Sequence, residues 1–327
     1  MGHYLLTGAA GFIGSRVAER LLARGDTVVG VDNVNDAYDV RLKAFRLEAL
    51  RQRNRFTFVR EDIADRIAVN RIFEEHGNGG FDAVINLAAR AGVRQSVENP
   101  WVYYDTNATG TLNLLDACAG TRTTKFVLAS TSSLYGTHNP RPYTEDADTD
   151  RPLSPYAASK KAAETIAYTY HYLRGIDVTV LRYFTVYGPA GRPDMSLFRF
   201  IQWTYENRPV LVFGDGRQER DFTYVDDVAR GTVAALAPAG YEIINLGSDR
   251  PIPLMELIEL VQDLTGRKAM IEHQARHPAD VTATWANIDK AKRLLGWEPE
   301  TTFADGVRAS VEWYEANRDW AREIITG

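Results

Sequence analysis

This sequence is poor in cysteine and has no long apolar run. Its 327 residues include one cysteine, Cys118, which excludes an intrachain disulfide and a cysteine-based metal site. No window approaches the ~18 consecutive apolar residues that a membrane helix needs. The N-terminus lacks a basic region followed by an apolar stretch, so secretion is not expected. We therefore expect a protein of the reducing cytoplasm with no membrane partner.

An excess of basic residues is also missing. Lysine and arginine number 38 against 43 aspartates and glutamates, which gives a formal net charge of −5. Because binding of nucleic acids depends on neutralising phosphates, this balance argues against a nucleic-acid partner. The six histidines show no metal-ligand spacing, so no metal site is predicted.

Short β-branched runs alternate with amphipathic stretches in the first half of the chain. The runs cover residues 4–7, 27–31, 57–59, 83–86, 126–129 and 178–181. This alternation predicts an α/β fold with a doubly wound parallel sheet of the Rossmann type. After about residue 182 the alternation becomes irregular, and proline and glycine become frequent. We predict a sheet domain at 1–182, with contributions from later segments, and a smaller C-terminal α/β lobe at 183–327.

A glycine-rich turn lies between the first run and the first amphipathic stretch. Gly8 allows a tight turn, Gly11 lets the backbone approach a pyrophosphate, and Gly14 lets helix and strand pack closely. Such trios are common, so the signal needs support from Asp32, 18 residues after Gly14. A carboxylate there binds the adenosine ribose and repels a 2′-phosphate, which favours NAD over NADP. The alternative for Asp32 is a helix or turn cap.

Further residues, from strand ends and from two helical segments, are predicted to line the dinucleotide site. The predicted cofactor residues are Gly8, Gly11, Phe12, Ile13, Gly14, Asp32, Asn33, Asp62, Ile63, Leu87, Ala88, Ala89, Asn107, Tyr156 and Lys160. Among them Asp62 and Ile63 are placed at the adenine edge, and the small side chains after Asn86 leave room for the cofactor.

Tyr156 and Lys160 are four residues apart in a helical pattern and so share a face. A phenol with a pKa near 10 is a poor base at neutral pH, and a neighbouring ammonium favours its phenolate. Of the 16 tyrosines, Tyr156 alone has a lysine at this spacing. The pair predicts a general base, with a surface pair as the alternative.

The GxxGxxG spacing and the Tyr156–Lys160 pair resemble the extended short-chain dehydrogenase/reductase family, from about Tyr4 to Tyr314. The resemblance implies a third catalytic residue, Thr131, four before the tyrosine of Tyr135-Gly136. It also implies a substrate contact for Ser132 and a homodimer formed by the helices at about 103–118 and 156–173. Ser130, Ser132 and Ser133 could instead be turn-formers.

The two residues after Thr131 separate the reactions of this family. Sugar-nucleotide 4,6-dehydratases carry Asp-Glu there, and nucleotide-glucuronate decarboxylases usually carry Glu at the second position. Here the pair is Ser132-Ser133. Without a second acid–base carboxylate, oxidation followed by reduction is the simplest chemistry, and the resemblance implies a 4-epimerase.

The segment after residue 182 indicates the sugar. Thr185 stands where epimerases of neutral UDP-hexoses usually have Asn, and Arg192 follows in a Gly-Arg-Pro-Asp run. Together with the run Asn-Asp-Ala-Tyr-Asp-Val at residues 35–40 and with Leu42-Lys43, these features are similar to the UDP-glucuronate 4-epimerases of the family, which interconvert UDP-glucuronate and UDP-galacturonate. A guanidinium binds a carboxylate bidentately, so Arg192 is predicted to hold the hexuronic acid, with Thr185 as a second donor. The alternative is a solvated loop arginine.

The resemblance also implies the residues that hold the nucleoside. Phe198, Val212 and Phe213 are placed at the uracil, Gln218 and Arg220 at the ribose and diphosphate, and Asp280 at the ribose. Arg276 is placed at the diphosphate, with His277 as the competing candidate. Two other functions stay open: a 4-epimerase of neutral UDP-hexoses, and an NAD-binding sensor without catalysis, which should lack the triad.

Overall fold

A seven-stranded parallel sheet forms the larger part of the computed structural model, which describes residues 1–275 and 281–326. Its strands are β1 (His3–Thr7), β2 (Thr27–Val31), β3 (Phe56–Val59), β4 (Ala83–Asn86), β5 (Lys125–Thr131), β6 (Asp177–Tyr183) and a later strand, Tyr241–Leu246. They follow one another across the sheet as Tyr241–Leu246, β6, β5, β4, β1, β2 and β3. This order confirms the predicted doubly wound fold.

Helices cover both faces of this sheet. They are α1 (Phe12–Ala23), α2 (Val40–Arg51), α3 (Arg66–His76), α4 (Val93–Glu98), α5 (Trp101–Tyr103), α6 (Gly110–Ala119) and α7 (Pro155–Arg174). Successive side chains of a strand point to opposite faces, so Leu6 joins the core beneath α1 while Leu5 joins the core that includes α3 and α6. Strands buried on both faces explain the continuous apolar runs in the sequence.

The chain after residue 184 forms a smaller lobe and also contributes elements to the sheet domain. Its strands are β7 (Thr185–Tyr187), β8 (Pro209–Phe213), β9 (Glu219–Tyr224), then β10 (Tyr241–Leu246) in the main sheet, β11 (Pro251–Pro253) and β12 (Met270–Gln274). Its helices are α8 (Ser196–Tyr205), α9 (Val225–Ala234), α10 (Leu254–Thr265), α11 (Asp289–Leu295), α12 (Phe303–Ala316) and α13 (Arg318–Ala321). Strands β7, β9 and β11 form one small sheet, and β8 pairs with β12.

The two lobes are interwoven rather than consecutive. Strand β10 pairs in parallel with β6, with Tyr241 opposite Val178, and α9 packs on α1. Both elements lie beyond residue 182. The sequence pattern predicts that later segments contribute to the sheet domain but does not say which ones, and these two elements do so. No described helix is long and apolar enough to cross a membrane.

The helix predicted at 103–118 is present but is not α-helical throughout. A π-helical segment, Tyr104–Thr109, separates α5 from α6. Its Asn107 is buried, and the side-chain amide receives a hydrogen bond from Arg90 N and donates to Arg90 O and Ser159 Oγ. Such extra-residue turns recur next to functional sites. Here the segment fastens the loop after β4 to the first turns of α7.

Candidate active site

A cavity of about 610 Å³ opens between the lobes at the carboxyl ends of the strands. Most of the residues predicted for the two ligands lie in its wall. They are Gly8, Gly11, Phe12, Ile13, Gly14, Asp32, Asn33, Asp62, Ile63, Leu87, Ala88, Ala89, Thr131, Ser132, Tyr156, Lys160, Thr185, Arg192, Phe213, Gln218 and Arg220. Parallel α/β sheets bind ligands in this crevice.

Three predicted residues lie outside the wall. The Asn107 side chain hydrogen-bonds Arg90 and Ser159, and its contact with the cofactor stays a prediction. Val212 is buried in the core of the smaller lobe, because alternate residues of β8 face opposite ways and Phe213 takes the cavity side. Phe198 lines a small apolar pocket behind the cavity instead. Arg276, His277 and Asp280 lie outside the described residues.

The glycine turn leaves no room for side chains. Gly8 has φ +71°, and a Cβ there would lie 2.8 Å from the backbone of Ala88. A Cβ on Gly14 would lie 2.1 Å from the Gly8 carbonyl oxygen. Backbone N–H groups at the start of α1 are therefore open to a phosphate group, which fits the pyrophosphate of a dinucleotide.

Asp32 stands at the end of β2 and is held in place by the backbone. Its carboxylate accepts hydrogen bonds from Ala10 N at 3.1 Å and Val34 N at 2.8 Å. Lys43 of α2 lies 3.7 Å away and balances part of the charge. Lys43 belongs to the residues of the resemblance, but its contact with Asp32 was not predicted, because α2 returns it to the strand end only in three dimensions. The site fits an adenosine ribose.

Thr131, Tyr156 and Lys160 meet where β5 ends and α7 begins. Ser154 caps the helix by accepting a hydrogen bond from Ala157 N at 3.2 Å, and Pro155 suits the first helical position. Tyr156 therefore falls in the first turn and Lys160 one turn later. The Thr131 hydroxyl hydrogen-bonds the Tyr156 side chain.

Burial acts on both ionisable groups of this set. It raises the pKa of Tyr156 above its ordinary value, while the hydrogen bond from Thr131 and the charge of Arg192 act in the opposite direction. It also lowers the pKa of Lys160 to about 8, which Glu164 partly opposes. The sequence predicts a lowered pKa for the phenol through Lys160, whereas in the structure burial outweighs the opposing effects of Thr131 and Arg192.

The carboxylates of the cavity are few. Among the described residues of its wall they are Asp32, Glu61, Asp62 and Asp194. The first three lie at the dinucleotide end, and Asp194 is tied to Arg192. Ser132 lines the wall, and the Ser133 backbone N–H donates to Thr131 at 3.1 Å. The described sugar end therefore offers one base, Tyr156, and no second acid–base carboxylate.

Arg192 reaches the cavity from the loop after β7. Its Nε and Nη2 donate to Asp194 at 3.0 and 2.5 Å, which uses one of the two bidentate edges of a guanidinium. The Tyr38 ring lies 6.0 Å from the guanidinium carbon. The charge of Arg192 acts on Tyr156 and opposes the rise in its pKa, so a carboxylate bound to the second guanidinium edge would lie near the phenol.

The far end of the cavity is cationic. The Arg94 guanidinium stacks over the Phe213 ring at 3.9 Å, and Gln218 donates to Phe213 O at 2.9 Å. Arg199 also lines the cavity; burial lowers its pKa, which Asp194 opposes and Arg94 lowers further. Sequence reasoning missed Arg94 and Arg199; the place of Arg94 just after β4, at a strand's carboxyl end, was the usable signal.

Known proteins are similar to this chain in sequence and in structure. A model of the GDP-mannose 4,6 dehydratase family matches residues 5–310. A UDP-glucuronate 4-epimerase of Thermodesulfobacterium geofontis (strain OPF15) is 56% identical over 325 residues, 99% of each chain. The crystal structure of the Bacillus cereus UDP-glucuronic acid 4-epimerase with UDP-glucuronic acid and NAD is 37% identical, covering 96% of this chain and 99% of its own, with a TM-score of 0.90.

A structure of a neutral-sugar enzyme is also similar. The UDP-glucose 4-epimerase of Thermotoga maritima with UDP-glucose is 31% identical, covers 97% of this chain and 99% of its own, and has a TM-score of 0.89. The fold and site therefore define an extended short-chain dehydrogenase/reductase. Within that class, this chain belongs to the GDP-mannose 4,6 dehydratase family, and the predicted resemblance is confirmed.

The pKa of Lys160 leads to a test of its charge. With a pKa of about 8, Lys160 is protonated below pH 8 and neutral above it. Lys160→Met removes the charge but keeps an unbranched stem, so the phenolate of Tyr156 loses its cationic neighbour. We expect the loss of turnover, measured as a pH–rate profile, to be largest below pH 8 and to shrink above it.

Tyr156→Phe is the reference variant, since it keeps the ring but removes the base. It should lose about 100-fold or more of the turnover across the whole pH range. An equal loss at every pH for Lys160→Met would show that Lys160 acts through packing rather than charge.

Proposed function

We propose that this chain is an NAD-dependent 4-epimerase that interconverts UDP-glucuronic acid and UDP-galacturonic acid through a 4-keto sugar. The observation that carries the proposal is the placement of Arg192 beside Tyr156 in one cavity. It is supported by the 56% identity to a UDP-glucuronate 4-epimerase over 99% of the chain and by the Bacillus cereus structure, whose ligands are UDP-glucuronic acid and NAD.

The roles follow from the geometry of the site. Tyr156, as phenolate, takes the proton of the sugar's 4-hydroxyl, and Thr131 donates a hydrogen bond to the same oxygen. Lys160 supplies positive charge that favours the phenolate. NAD held by the glycine turn and Asp32 supplies oxidation and reduction at carbon 4. After the 4-keto sugar has turned its other face, Tyr156 returns the proton.

The nucleotide anchors the substrate while the sugar turns. Arg94, Arg199 and Arg220 line the cavity, and their charge suits a diphosphate. Phe213 supplies an aromatic ring for the uracil. Contacts confined to the nucleotide leave the sugar able to rotate, so both faces of carbon 4 reach the same base.

Arg192 has two tasks in this reaction. Oxidation at carbon 4 places a carbonyl two bonds from the carboxylate and creates a β-keto acid, which loses CO₂ when the carboxyl bond aligns with the carbonyl π system. An epimerase must prevent this loss. The second edge of Arg192, with Thr185, pairs the carboxylate and holds that bond out of alignment.

The two alternatives predict different sites. A neutral-hexose epimerase has no need for a guanidinium beside the base, and Arg192 would then be incidental. A sensor that only binds NAD has no need for Thr131, Tyr156 and Lys160 together at one cavity wall. The arrangement therefore favours hexuronate epimerisation over both.

Truncation of Arg192 tests the proposal directly. Arg192→Ala should raise the KM for UDP-glucuronate, since a charge-assisted pair contributes about 1.5–3 kcal/mol. It should also increase the fraction of turnovers that leak to a decarboxylated pentose product. Mass spectrometry of the products measures both effects.

UDP-glucose, which lacks the carboxylate, is the control substrate. The Arg192→Ala variant should treat it no worse than the parent does. If the variant handles UDP-glucuronate as the parent does, the carboxylate is bound elsewhere and the assignment of a hexuronic acid loses its physical support.

We also propose that the protein is a homodimer formed through α5–α7 and that it works in the cytoplasm. The support for the dimer is an apolar surface on these helices: Trp101, Tyr168, Tyr172 and Leu173 are 77, 49, 76 and 71% exposed. An exposed apolar surface of this kind is usually buried in a two-fold interface.

The support for the cytoplasm is the single, buried Cys118.

The dimer can be tested by the mass of the protein in solution. Tyr172→Glu combined with Leu173→Glu places charge on the proposed interface, so light scattering after size exclusion should report a monomer where the parent is a dimer. Ile67→Glu changes a residue of α3 that is equally exposed, at 77%, and should leave the dimer intact. A monomeric parent, or an unchanged double variant, would contradict the proposal.

A further inference from the structure

Arg46 is a buried cation that the reaction does not use directly. It lies on α2 and is 4% exposed, and it does not line the cavity. Its guanidinium lies over the rings of Phe12 and Tyr38, 5.7 Å from each centroid. A buried charge is costly unless its donors are satisfied, so the groups that satisfy them indicate what Arg46 is for.

Two of its nitrogens hold the loop that carries Arg192. Nε and Nη2 donate to Ala190 O at 3.1 and 2.6 Å, and Nη2 also donates to Gly191 O at 3.2 Å. Ala190 has φ +53°, a left-handed conformation that a residue with a Cβ rarely adopts. The planar guanidinium of Arg46 thus fixes the two carbonyl groups that precede Arg192. It holds the loop in a backbone conformation that the loop would not prefer by itself.

The third nitrogen holds the cofactor side of the cavity. Nη1 donates to Tyr38 OH at 2.8 Å and to Ala10 O, in the glycine turn, at 3.3 Å. Tyr38 lines the cavity, and its ring faces the Arg192 guanidinium. One side chain therefore ties together the glycine turn, the aromatic ring beside Arg192 and the loop of Arg192, which come from three separate parts of the sequence.

We propose that Arg46 is a positioning residue for substrate specificity, which sets Arg192 at the distance from the dinucleotide turn where the sugar carboxylate must be held. The inference rests on the proposed function, because it assigns Arg192 to that carboxylate. It predicts that recognition of the hexuronic acid depends on a side chain that never touches it. A lysine cannot replace this guanidinium. A single ammonium cannot donate with the same geometry to the carbonyls of the Arg192 loop and to the carbonyl of the glycine turn.

Arg46→Lys tests the proposal while conserving the charge. The loop of Arg192 should loosen, so the KM for UDP-glucuronate and its dissociation constant should rise roughly tenfold, as for loss of one charge-assisted hydrogen bond. The kcat should change much less, since Tyr156 and Thr131 stand on other elements. Binding of UDP and of UDP-glucose, measured by calorimetry on the NAD-loaded protein, should stay as in the parent.

Arg51→Lys is the matched control. Arg51 lies on the same helix five residues later, is exposed, and stacks on Phe58; this variant should bind all three ligands as the parent does. Tyr38→Phe is a second, milder variant that keeps every charge and removes one acceptor of Arg46. It should also weaken UDP-glucuronate binding. If Arg46→Lys does not fold, the result for Tyr38→Phe alone tests the proposal.

Two results would overturn the proposal. One is an unchanged dissociation constant for UDP-glucuronate in the variants that fold. The other is an equal weakening for UDP-glucuronate and UDP-glucose together with loss of bound NAD, which would show that Arg46 serves the cofactor turn alone. A parent that does not convert UDP-glucuronate would refute the proposed function instead, which keeps the two failures distinct.

Discussion

The buried ion pair between Glu164 and Arg182 is the contact on which the geometry of the active site depends. The two side chains are 3 and 2% exposed and 2.8 Å apart, and they join α7 to β6. Ser130, which precedes Thr131 on β5, donates to the same Glu164 carboxylate at 2.5 Å. Breaking a buried pair by removing one partner costs several kcal/mol, so α7 cannot shift along the sheet without a large penalty.

The consequence for chemistry is that Thr131 and Tyr156 keep one relative position. Glu164 lies eight residues after Tyr156, on the same helical face as Lys160, so the helix is fastened two turns below its reacting end. Arg182 also donates to Tyr135 OH, which donates to Asn245 of β10. The last strand of the sheet thereby takes part in the same network, which explains why a segment from the second half of the chain belongs to the sheet domain.

Sequence patterns were enough to predict the dinucleotide half because its signals are local. The glycine turn, Asp32 at a strand end, and a tyrosine with a lysine four residues later each follow from a short stretch of chain. The contacts of Lys43 and Arg46 could not be predicted from such a stretch, since their partners lie on other elements; Arg46 and Ala190 are 144 residues apart. The π-helical segment at Tyr104–Thr109 was missed because an amphipathic pattern does not distinguish it from an α-helix.

The charged residues of the cavity serve one purpose, which is to bind a hexuronic acid without letting it lose CO₂. Arg192 keeps one edge on Asp194 and offers the other beside Tyr156, while the described residues at the sugar end supply no carboxylate that could remove a proton from carbon. Oxidation and reduction at carbon 4 then move its hydrogen without contact with water. Neither carbon 4 nor carbon 5 should exchange its hydrogen during the reaction.

Product analysis after reaction in deuterium oxide tests this account most directly. The protein is incubated with UDP-glucuronate in D₂O, and the sugar is examined by NMR and mass spectrometry. The account predicts UDP-galacturonate with no deuterium on any carbon of the ring. Deuterium at carbon 4 or carbon 5, or a lack of UDP-galacturonate, would contradict it.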